Sequence, residues 1–275
     1  MFKKIKYDSG KREIYFGKKK IFQYINQNKF VEFVEKLSNN LIHTYSSPLD
    51  VNKISYDLRN GGAGFYAFDF LLKRANVAFK YHKIFYDLYL RGQNNEKLIF
   101  IDGGCHNGVF SDIALACGAV SYAFEPNIYL CAFLKNLYKD NPNFILAQQA
   151  ISNKNEKTIF YNLADNIVSQ GASIVKSNAR ADLQKQGYEV DMIDFCEVTK
   201  ELLQRHGKIN FIKLDIEGAE FDVLDAFIKQ NLCEKIEYIM VETHERLFDN
   251  PNEKLNALKA KISKNNISNI YLDWI

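Results

Sequence analysis

Four short segments of this 275-residue chain combine acidic residues with glycine or histidine in patterns that suit ligand binding and catalysis. The first is residues 102–108, in which Asp102 is followed by Gly103 and Gly104. Glycines allow a sharp turn and let a ligand approach the backbone amides, and a helix that follows presents its amino end to the same space. A tight connection without any ligand would use the same residues. The segment by itself therefore does not identify a site.

A second acidic residue, Glu125, lies 23 residues after Asp102 and is followed by Pro126 and Asn127. A carboxylate at this distance can accept hydrogen bonds from both vicinal hydroxyls of a ribose, as it does in dinucleotide sites. The alternative role is that of a helix-capping acid in a first turn. Together the two segments favour a nucleoside ligand.

Asp102 helps to separate two classes of nucleoside cofactor. Dinucleotide sites carry Gly-x-Gly-x-x-Gly because backbone amides must cradle a pyrophosphate, which an acid in the same space would repel. The methionyl part of S-adenosylmethionine instead carries an ammonium and a sulfonium, and these cations suit carboxylates near the turn. We therefore expect the acid to face the ligand and the ligand to be S-adenosylmethionine.

The remaining two segments are also acidic. Asp215, Glu217 and Glu220 lie within six residues, and Glu242 is followed two residues later by His244. Such acids could simply be helix amino-end charges, an interpretation that fits Glu220 best.

Short apolar segments precede each of these groups, and amphipathic segments follow several of them. This alternation is typical of a parallel sheet with helices on both faces, so we predict an α/β fold. Ligands of such sheets bind at the carboxyl ends of the strands, where all four groups would meet. The predicted strands are 98–101, 120–124, 144–147, 209–214 and 236–241, and the predicted helices are 109–117, 128–138 and 219–229.

The amino-terminal part of the chain has a different pattern. Apolar residues recur at helical spacing over 22–41 and 66–90, with turn-forming residues between them. We predict a helical N-terminal cap region at 1–95 and a larger α/β domain at 96–275.

Composition excludes several classes of protein. A content of 47% hydrophobic and 25% charged residues argues against general disorder, and a net charge of +3 gives little support for a nucleic-acid partner. There is no apolar run of 18 residues, so we expect no membrane span, no signal peptide and a cytoplasmic location. The five cysteines are scattered and never form Cys-x-x-Cys, which favours reduced thiols over disulfides or zinc.

With these segments taken together, the chain resembles the FkbM family of methyltransferases. The resemblance rests on Asp102 to Gly108, on Phe124-Glu125-Pro126, on Lys213 to Glu220 and on Val241 to His244, which occur in the family's order. It spans about residues 97–245 and includes 171–173 and the strand-like 188–193, with 213–220 as its most specific part. Cys105 stands where the family usually has alanine, and His106 where it often has asparagine.

The resemblance implies a Rossmann-like class I methyltransferase domain that transfers a methyl group to oxygen. The acceptor would often be a sugar hydroxyl, here of a surface polysaccharide or its activated precursor. We predict that the S-adenosylmethionine site consists of Asp102, Gly103, Gly104, Cys105, His106, Asn107, Gly108, Glu125, Pro126, Asn127, Ala150, Ile151 and Asp215.

The acceptor hydroxyl must lose a proton, so a base is needed beside it. His244 is our first candidate because an unperturbed imidazole titrates near working pH, and Asp215 and Glu217 are the alternatives. These three residues together with Glu242 could instead hold a divalent cation, and oxygen ligands would favour magnesium or manganese over zinc. No resident metal is our primary expectation.

Three other functions remain open from the sequence. A nicotinamide-dependent oxidoreductase would need Gly-x-Gly-x-x-Gly, which is absent, and an amino-methylating nucleic-acid enzyme would need Asn/Asp-Pro-Pro-Tyr/Phe, which residues 141–144 only approach. A non-catalytic binding module on the same fold is the third. We expect residues 163–187 to form a lid over the acceptor. Homo-oligomerisation is left open.

Overall fold

The computed structural model of the chain describes residues 2–6, 11–16, 18–25, 75–162, 168–176 and 187–274. The strands in these ranges are β1 (Phe2–Lys6), β2 (Lys11–Phe16), β3 (Lys19–Ile25), β4 (Ile99–Gly103), β5 (Val120–Phe124), β6 (Phe144–Ala147), β7 (Ala150–Ser152), β8 (Lys157–Tyr161), β9 (Gly187–Asp194), β10 (Ile209–Leu214), β11 (Ile236–Val241) and β12 (Ile270–Tyr271). The α-helices are α1 (Ala75–Gln93), α2 (Val109–Ala116), α3 (Ile128–Leu137), α4 (Phe195–His206), α5 (Glu220–Lys229) and α6 (Pro251–Lys264), and short 3-10 helices span Cys233–Lys235 and Glu245–Leu247.

The central sheet has the strand order β12-β11-β10-β4-β5-β6, and every neighbouring pair is parallel. Its inner strands β4 and β10 are buried along their whole length, as continuous apolar runs in a sheet covered on both faces should be. From β4 the chain builds outward to β5 and β6, and it later returns to the other side of β4 to build β10, β11 and β12. The predicted α/β class is confirmed, and a topological switch point lies between β4 and β10.

The sequence places most of these elements to within two residues. Strands β5, β6, β10 and β11 have the predicted bounds, whereas β7, β8, β12, α4 and α6 were not predicted. Strands β7, β9 and β8 form a small separate sheet in that order. Two helix starts follow ordinary capping chemistry: the side chains of Asn127 and Asp194 each accept two backbone N–H groups at the beginnings of α3 and α4.

The helical prediction for the amino-terminal region is wrong over its first described part. Strands β1, β2 and β3 form an antiparallel sheet there, and Phe22 and Ile25, which we expected on a helix, lie in β3. Alternating polar and β-favouring residues suit a strand, and this period-two pattern outweighs the two helically spaced apolar residues. Helix α1 confirms the second predicted helical stretch, 66–90, from residue 75 onward, and residues 66–74 lie outside the described residues. The rest of the predicted first helix lies outside the described residues.

Helix α1 contributes to the core of the α/β domain. Phe85 packs against Phe211 of β10, with ring centroids 5.5 Å apart. Trp274, which follows β12, contacts both Phe85 and Phe110 of α2 at centroid distances of 6.0 and 5.9 Å. The boundary that we predict after residue 95 therefore runs through one shared aromatic cluster.

A polar network fixes the end of α1 to the amino ends of the central strands. Glu237 of β11 lies 2.6 Å from Arg91 and 2.7 Å from Lys208, and it accepts a hydrogen bond from Asn210 at 3.0 Å. The same Asn210 side chain accepts from the backbone amide of Ile99 at 3.0 Å. Burial alone would raise the pKa of Glu237, but hydrogen bonds from these partners outweigh it and lower the pKa to about 2.

All five cysteines are described and buried, and none is in a disulfide. Among the helices of the described ranges, none combines the length and apolarity required to cross a bilayer.

We expect Glu237→Gln to reduce the free energy of unfolding by about 1–3 kcal/mol, because it weakens charged hydrogen bonds to Arg91 and Lys208. Urea denaturation monitored by circular dichroism measures this difference. The folded-state pKa of Glu237, about 2, lies below the ordinary value of 4.5, so the difference is full above pH 4.5 and shrinks as pH falls toward 2. Glu201→Gln, in an exposed pair with Arg205, is the matched control and should change stability by less than about 0.5 kcal/mol. Equal effects of the two substitutions would contradict the assigned role.

Candidate active site

The carboxyl ends of the inner strands surround a cavity of about 330 Å³ at the switch point. Its size is at the lower end for ligand sites, which are roughly 300–1,000 Å³. The predicted cofactor residues in its wall are Gly104, Cys105, His106, Asn107, Glu125, Pro126, Ala150, Ile151 and Asp215. Asp102, Gly103, Gly108 and Asn127 are buried but are not part of the wall.

The glycine-rich turn approaches the end of β10 most closely at Gly104. Its φ of +70° is in the left-handed region, and an added Cβ would lie 1.9 Å from the carbonyl oxygen of Asp215. The amides of Gly104 and Cys105 both donate to the carbonyl of Phe124 at 3.0 Å. Contact between two turns is therefore a sufficient reason for glycine at this position.

Asp102 does not face the cavity, so our expectation that its carboxylate meets the cationic part of a ligand is wrong. The side chain is fully buried, accepts a hydrogen bond from Ser111 at 2.7 Å, and lies 3.5 Å from the ammonium of Lys213. Burial raises the pKa of Asp102, while Lys213 and Ser111 act in the opposite direction. The Lys213 ammonium is the counter-charge of this carboxylate inside the protein.

Lys213, to which the sequence analysis gave no role of its own, lies between the two central turns. Its Nζ donates to the carbonyl of Gly104 at 2.7 Å and lies 3.4 Å from Asp215. Burial alone would lower the pKa of Lys213, but Asp215 and Asp102 outweigh it and raise the pKa. The side chain thus stays charged. It joins the glycine-rich turn after β4 (residues 102–108) to the acidic turn after β10 (residues 215–220).

Glu125 is the acid of the second strand end, and it lines the cavity while being only 4% exposed. Its Oε1 accepts from the amide of Asn127, and its Oε2 accepts from the amide of His106, both at 2.8 Å. These two bonds fix the carboxylate and leave one lone pair on each oxygen. Burial raises the pKa of Glu125 to about 7. Vicinal hydroxyls of a ligand could donate to the two remaining lone pairs.

His106 has a backbone φ of +48°, and its Nε2 lies 3.1 Å from the carbonyl oxygen of Val168. This contact is the backbone-bonded arrangement that a helix-start histidine commonly adopts. Burial lowers the pKa of His106. Residues 168–176, the described part of the predicted lid, are linked to the glycine-rich turn through this ring, and residues 169–174 line the cavity.

The acidic turn after β10 brings Asp215 and Glu217 into the cavity wall. Glu217 has a φ of +51°, a conformation that a non-glycine residue adopts only when its surroundings enforce it. One enforcing contact is the hydrogen bond from the Ser173 hydroxyl to the Glu217 carbonyl, at 2.6 Å. Residues 168–176 and the acidic turn are therefore joined by this contact.

Behind this turn, Glu220 is a fully buried carboxylate rather than an exposed helix-end charge. It accepts from the amide of Gly218 at 2.8 Å and from the amide of His244 at 2.7 Å, and its Oε1 lies 3.3 Å from Nδ1 of the His244 ring. Glu220 thereby fixes the end of β11 to the acidic turn and orients the imidazole.

The reason for choosing His244 as the base is wrong. The residue is fully buried, is not part of the cavity wall, and directs Nε2 toward Asp215, Glu217 and Glu242. Burial alone would lower the pKa of His244, but Glu217 and Glu220 outweigh it and raise the pKa to about 10. An imidazolium has no lone pair with which to accept a proton, whereas Asp215 and Glu217 reach the cavity.

Several residues of the cavity wall were not predicted. They include Gln149, Phe160, Arg246 and Trp274. Arg246 was recognisable only as a cation two residues after His244. Phe160 lies in β8 and Trp274 follows β12, and the sequence pattern revealed neither strand.

The cavity wall is acidic overall. Its carboxylates are Glu125, Asp215, Glu217 and Glu242, and its cations are Lys213 and Arg246. Lys213 is already paired with Asp102 behind the wall. Such a lining favours a positively charged ligand and opposes a pyrophosphate.

Comparison with known families agrees with this geometry. The model of the FkbM methyltransferase domain matches residues 102–265, a range that contains the glycine-rich turn, Glu125, the acidic turn and His244. Neither the curated proteins nor the solved structures include a significant match to the chain. Since the match covers more than half of the sequence, the chain belongs to the FkbM methyltransferase family.

Proposed function

We propose that the protein uses S-adenosylmethionine to methylate a hydroxyl oxygen of a sugar in a surface polysaccharide or in its activated precursor. The observation that carries the proposal is the acidic cavity wall beside a nucleoside-type carboxylate, Glu125. The family supports methyl transfer in general. Oxygen as the target and a sugar as the acceptor are our inferences.

The residues of the wall fit this cofactor. Glu125 has two unused lone pairs for the ribose hydroxyls, and Ala150 and Ile151 of β7 offer apolar surface for an adenine ring. The glycine-rich turn offers close backbone approach for the methionyl part, and the acidic wall suits its positive charges. When bound, S-adenosylmethionine supplies an electrophilic methyl group carried on a sulfonium.

The remaining carboxylates suit an acceptor with several hydroxyls. Asp215 and Glu217 lie on one turn in the cavity wall, where they can accept hydrogen bonds from such an acceptor and orient one oxygen. As this oxygen forms a bond to the methyl carbon, the carbon–sulfur bond breaks with its electron pair left on sulfur, which becomes a neutral thioether. The proton of the hydroxyl passes to one of these carboxylates. Positioning, rather than a strong base, supplies most of the effect in this scheme.

A polynucleotide acceptor is disfavoured by the same electrostatics. Four carboxylates line the cavity, so a phosphate backbone would have to approach like charges. An oxidoreductase is disfavoured because the pyrophosphate of a dinucleotide would meet the same wall.

Affinity for the cofactor should depend on the carboxylate of Glu125. We expect Glu125→Gln to weaken binding of S-adenosylhomocysteine by about 1–3 kcal/mol in calorimetric titration, because charged hydrogen bonds to the ribose are lost. Because the pKa of Glu125 is about 7 in the free protein, wild-type affinity should rise between pH 6 and pH 8 as the carboxylate ionises. The variant should lack this rise.

Glu234→Gln, at an exposed position away from the cavity, is the matched control and should bind like the wild type. Unchanged affinity of the Glu125→Gln variant would remove this residue from the cofactor site. Binding of NAD without binding of S-adenosylhomocysteine would reject the proposed function.

Turnover should depend on the carboxylates of Asp215 and Glu217. Incubation with methyl-labelled S-adenosylmethionine and a panel of nucleotide sugars should transfer label to at least one sugar hydroxyl, located by mass spectrometry. Asp215→Asn and Glu217→Gln should each lower kcat by about 10²-fold or more while S-adenosylhomocysteine still binds to the protein. Labelling of a nucleic acid or of a nitrogen atom, with all sugars unlabelled, would contradict the choice of acceptor.

A further inference from the structure

Three side chains each direct one potential metal-ligand atom to a common point. They are the carboxylates of Asp215 and Glu217 and the imidazole of His244. These three atoms all lie within 4.8 Å of one another. Nε2 of His244 is 3.7 Å from Oδ1 of Asp215 and 3.4 Å from Oε1 of Glu217. In an octahedral site with metal–oxygen distances of 2.0–2.1 Å, adjacent ligand atoms are roughly 3 Å apart and opposite ones roughly 4 Å. The two distances from Nε2 lie between these two values.

Nε2 of His244 is a buried polar atom that makes no hydrogen bond of normal geometry to the described residues. Of the carboxylates that it faces, the nearest is Oε1 of Glu217, at 3.4 Å. The side chain is only 1% exposed, so water does not satisfy the atom from outside. Burying a polar group without a partner costs free energy, and a structure that retains one usually has a function for it. Here the atom points at three carboxylates, each beyond normal hydrogen-bond distance, which are Asp215, Glu217 and Glu242.

The other ring nitrogen is held as in a metal-binding histidine. Nδ1 lies 3.3 Å from Oε1 of Glu220, a carboxylate that is itself fully buried and fixed by the amides of Gly218 and His244. Metal-ligating histidines almost always donate the second ring N–H to a carboxylate, a backbone carbonyl or water, which fixes the tautomer and leaves the first nitrogen free for the ion. Glu220 supplies this support.

The charges around the point also favour a cation. The carboxylates of Asp215, Glu217, Glu220 and Glu242 all approach the ring of His244, at distances of 3.3 to 3.7 Å. Lys213 is shared with Asp102, and Arg246 reaches Glu217 only at 3.8 Å from a side chain that is 54% exposed. Carboxylates gathered in this way repel one another unless positive charge lies among them. In the free protein the raised pKa of His244 places an imidazolium there. A divalent cation would take the place of the Nε2 proton and bring a larger positive charge.

We propose that Asp215, Glu217 and Nε2 of His244 bind one divalent cation of the manganese class at the cavity wall, and that this cation binds hydroxyls of the acceptor. Two carboxylates and one imidazole form a mixed oxygen and nitrogen set, which Mn²⁺ accepts well. Three protein ligands leave further positions of a six-coordinate ion open for vicinal hydroxyls. The binding of acceptor hydroxyls by the cation rests on the proposed function, whereas the cation site itself does not.

A bound cation changes which carboxylate accepts the proton. With Asp215 and Glu217 engaged as ligands, Glu242 is the carboxylate of this cluster that still lines the cavity unligated. A hydroxyl on the cation is more acidic than a free one, so its proton can pass to Glu242 while its oxygen forms the bond to carbon. The electron pair of the broken carbon–sulfur bond remains on sulfur, as before.

The test uses the full chain freed of metal by a chelator and titrated with Mn²⁺, with the free ion measured by electron paramagnetic resonance. We expect saturation at one ion per chain. Asp215→Asn, Glu217→Gln and His244→Gln should each weaken binding at least tenfold, with circular dichroism and thermal unfolding showing that each variant is folded. Asp222→Asn, an exposed acid on the neighbouring α5 with a side chain 70% exposed, is the control and should bind Mn²⁺ like the wild type.

Absence of Mn²⁺ binding to the wild type at millimolar ion, or equal binding by all folded variants, would overturn the cation site. Full methyl transfer in excess chelator would overturn the role of the cation in binding the acceptor, and it would leave the proposed function intact. Stoichiometric Mn²⁺ binding by a protein that does not bind S-adenosylhomocysteine would support the site and reject the proposed function. The two proposals therefore fail separately.

Discussion

The ion cluster around Lys213 is the interaction on which the arrangement of the site depends. Its ammonium is almost completely buried, donates to the carbonyl of Gly104, and lies between Asp102 and Asp215. Removing one partner from a buried ion pair leaves an uncompensated charge, which costs far more than the pair contributes. Lys213 thereby fixes the glycine-rich turn and the acidic turn relative to each other. It also neutralises the charge of Asp102 inside the protein.

Glu220 has the corresponding role one turn further along. It connects the acidic turn to the end of β11 through the amides of Gly218 and His244. Lys213 and Glu220 together hold the ends of β4, β10 and β11 as one rigid rim. Asp215 and Glu217, whose side chains line the cavity, lie on this rim and not on a free loop. Precise positioning of a bound ligand requires side chains that are held in this way.

The central sheet was predictable because its inner strands are continuous apolar runs that alternate with amphipathic helices. The short strands β7 and β8 carry mixed polar and apolar residues, and β12 has only two residues, so no period is long enough to identify them. Strands β1 to β3 were misread because two apolar residues at helical spacing were given more weight than the surrounding alternation.

The location of the site was predictable, but the directions in which its side chains point were less so. Strand ends in a parallel sheet meet at one edge, so the grouping of Glu125, Asp215 and Glu217 follows from the order of the elements. Which way a side chain at a strand end points depends on its neighbours. Lys213 draws Asp102 inward and Glu220 holds His244 behind the wall, and neither effect has a sequence signature.

Trp274 connects two regions that sequence pattern alone would treat separately. Its ring lines the cavity and also packs on Tyr81 and Phe85 of α1, with centroid distances of 6.2 and 6.0 Å. Cooperative unfolding units usually coincide with shared cores, so α1 should open together with the sheet rather than ahead of it. Filling the cavity would then slow amide hydrogen exchange in α1, although that helix holds none of the carboxylates of the cavity wall.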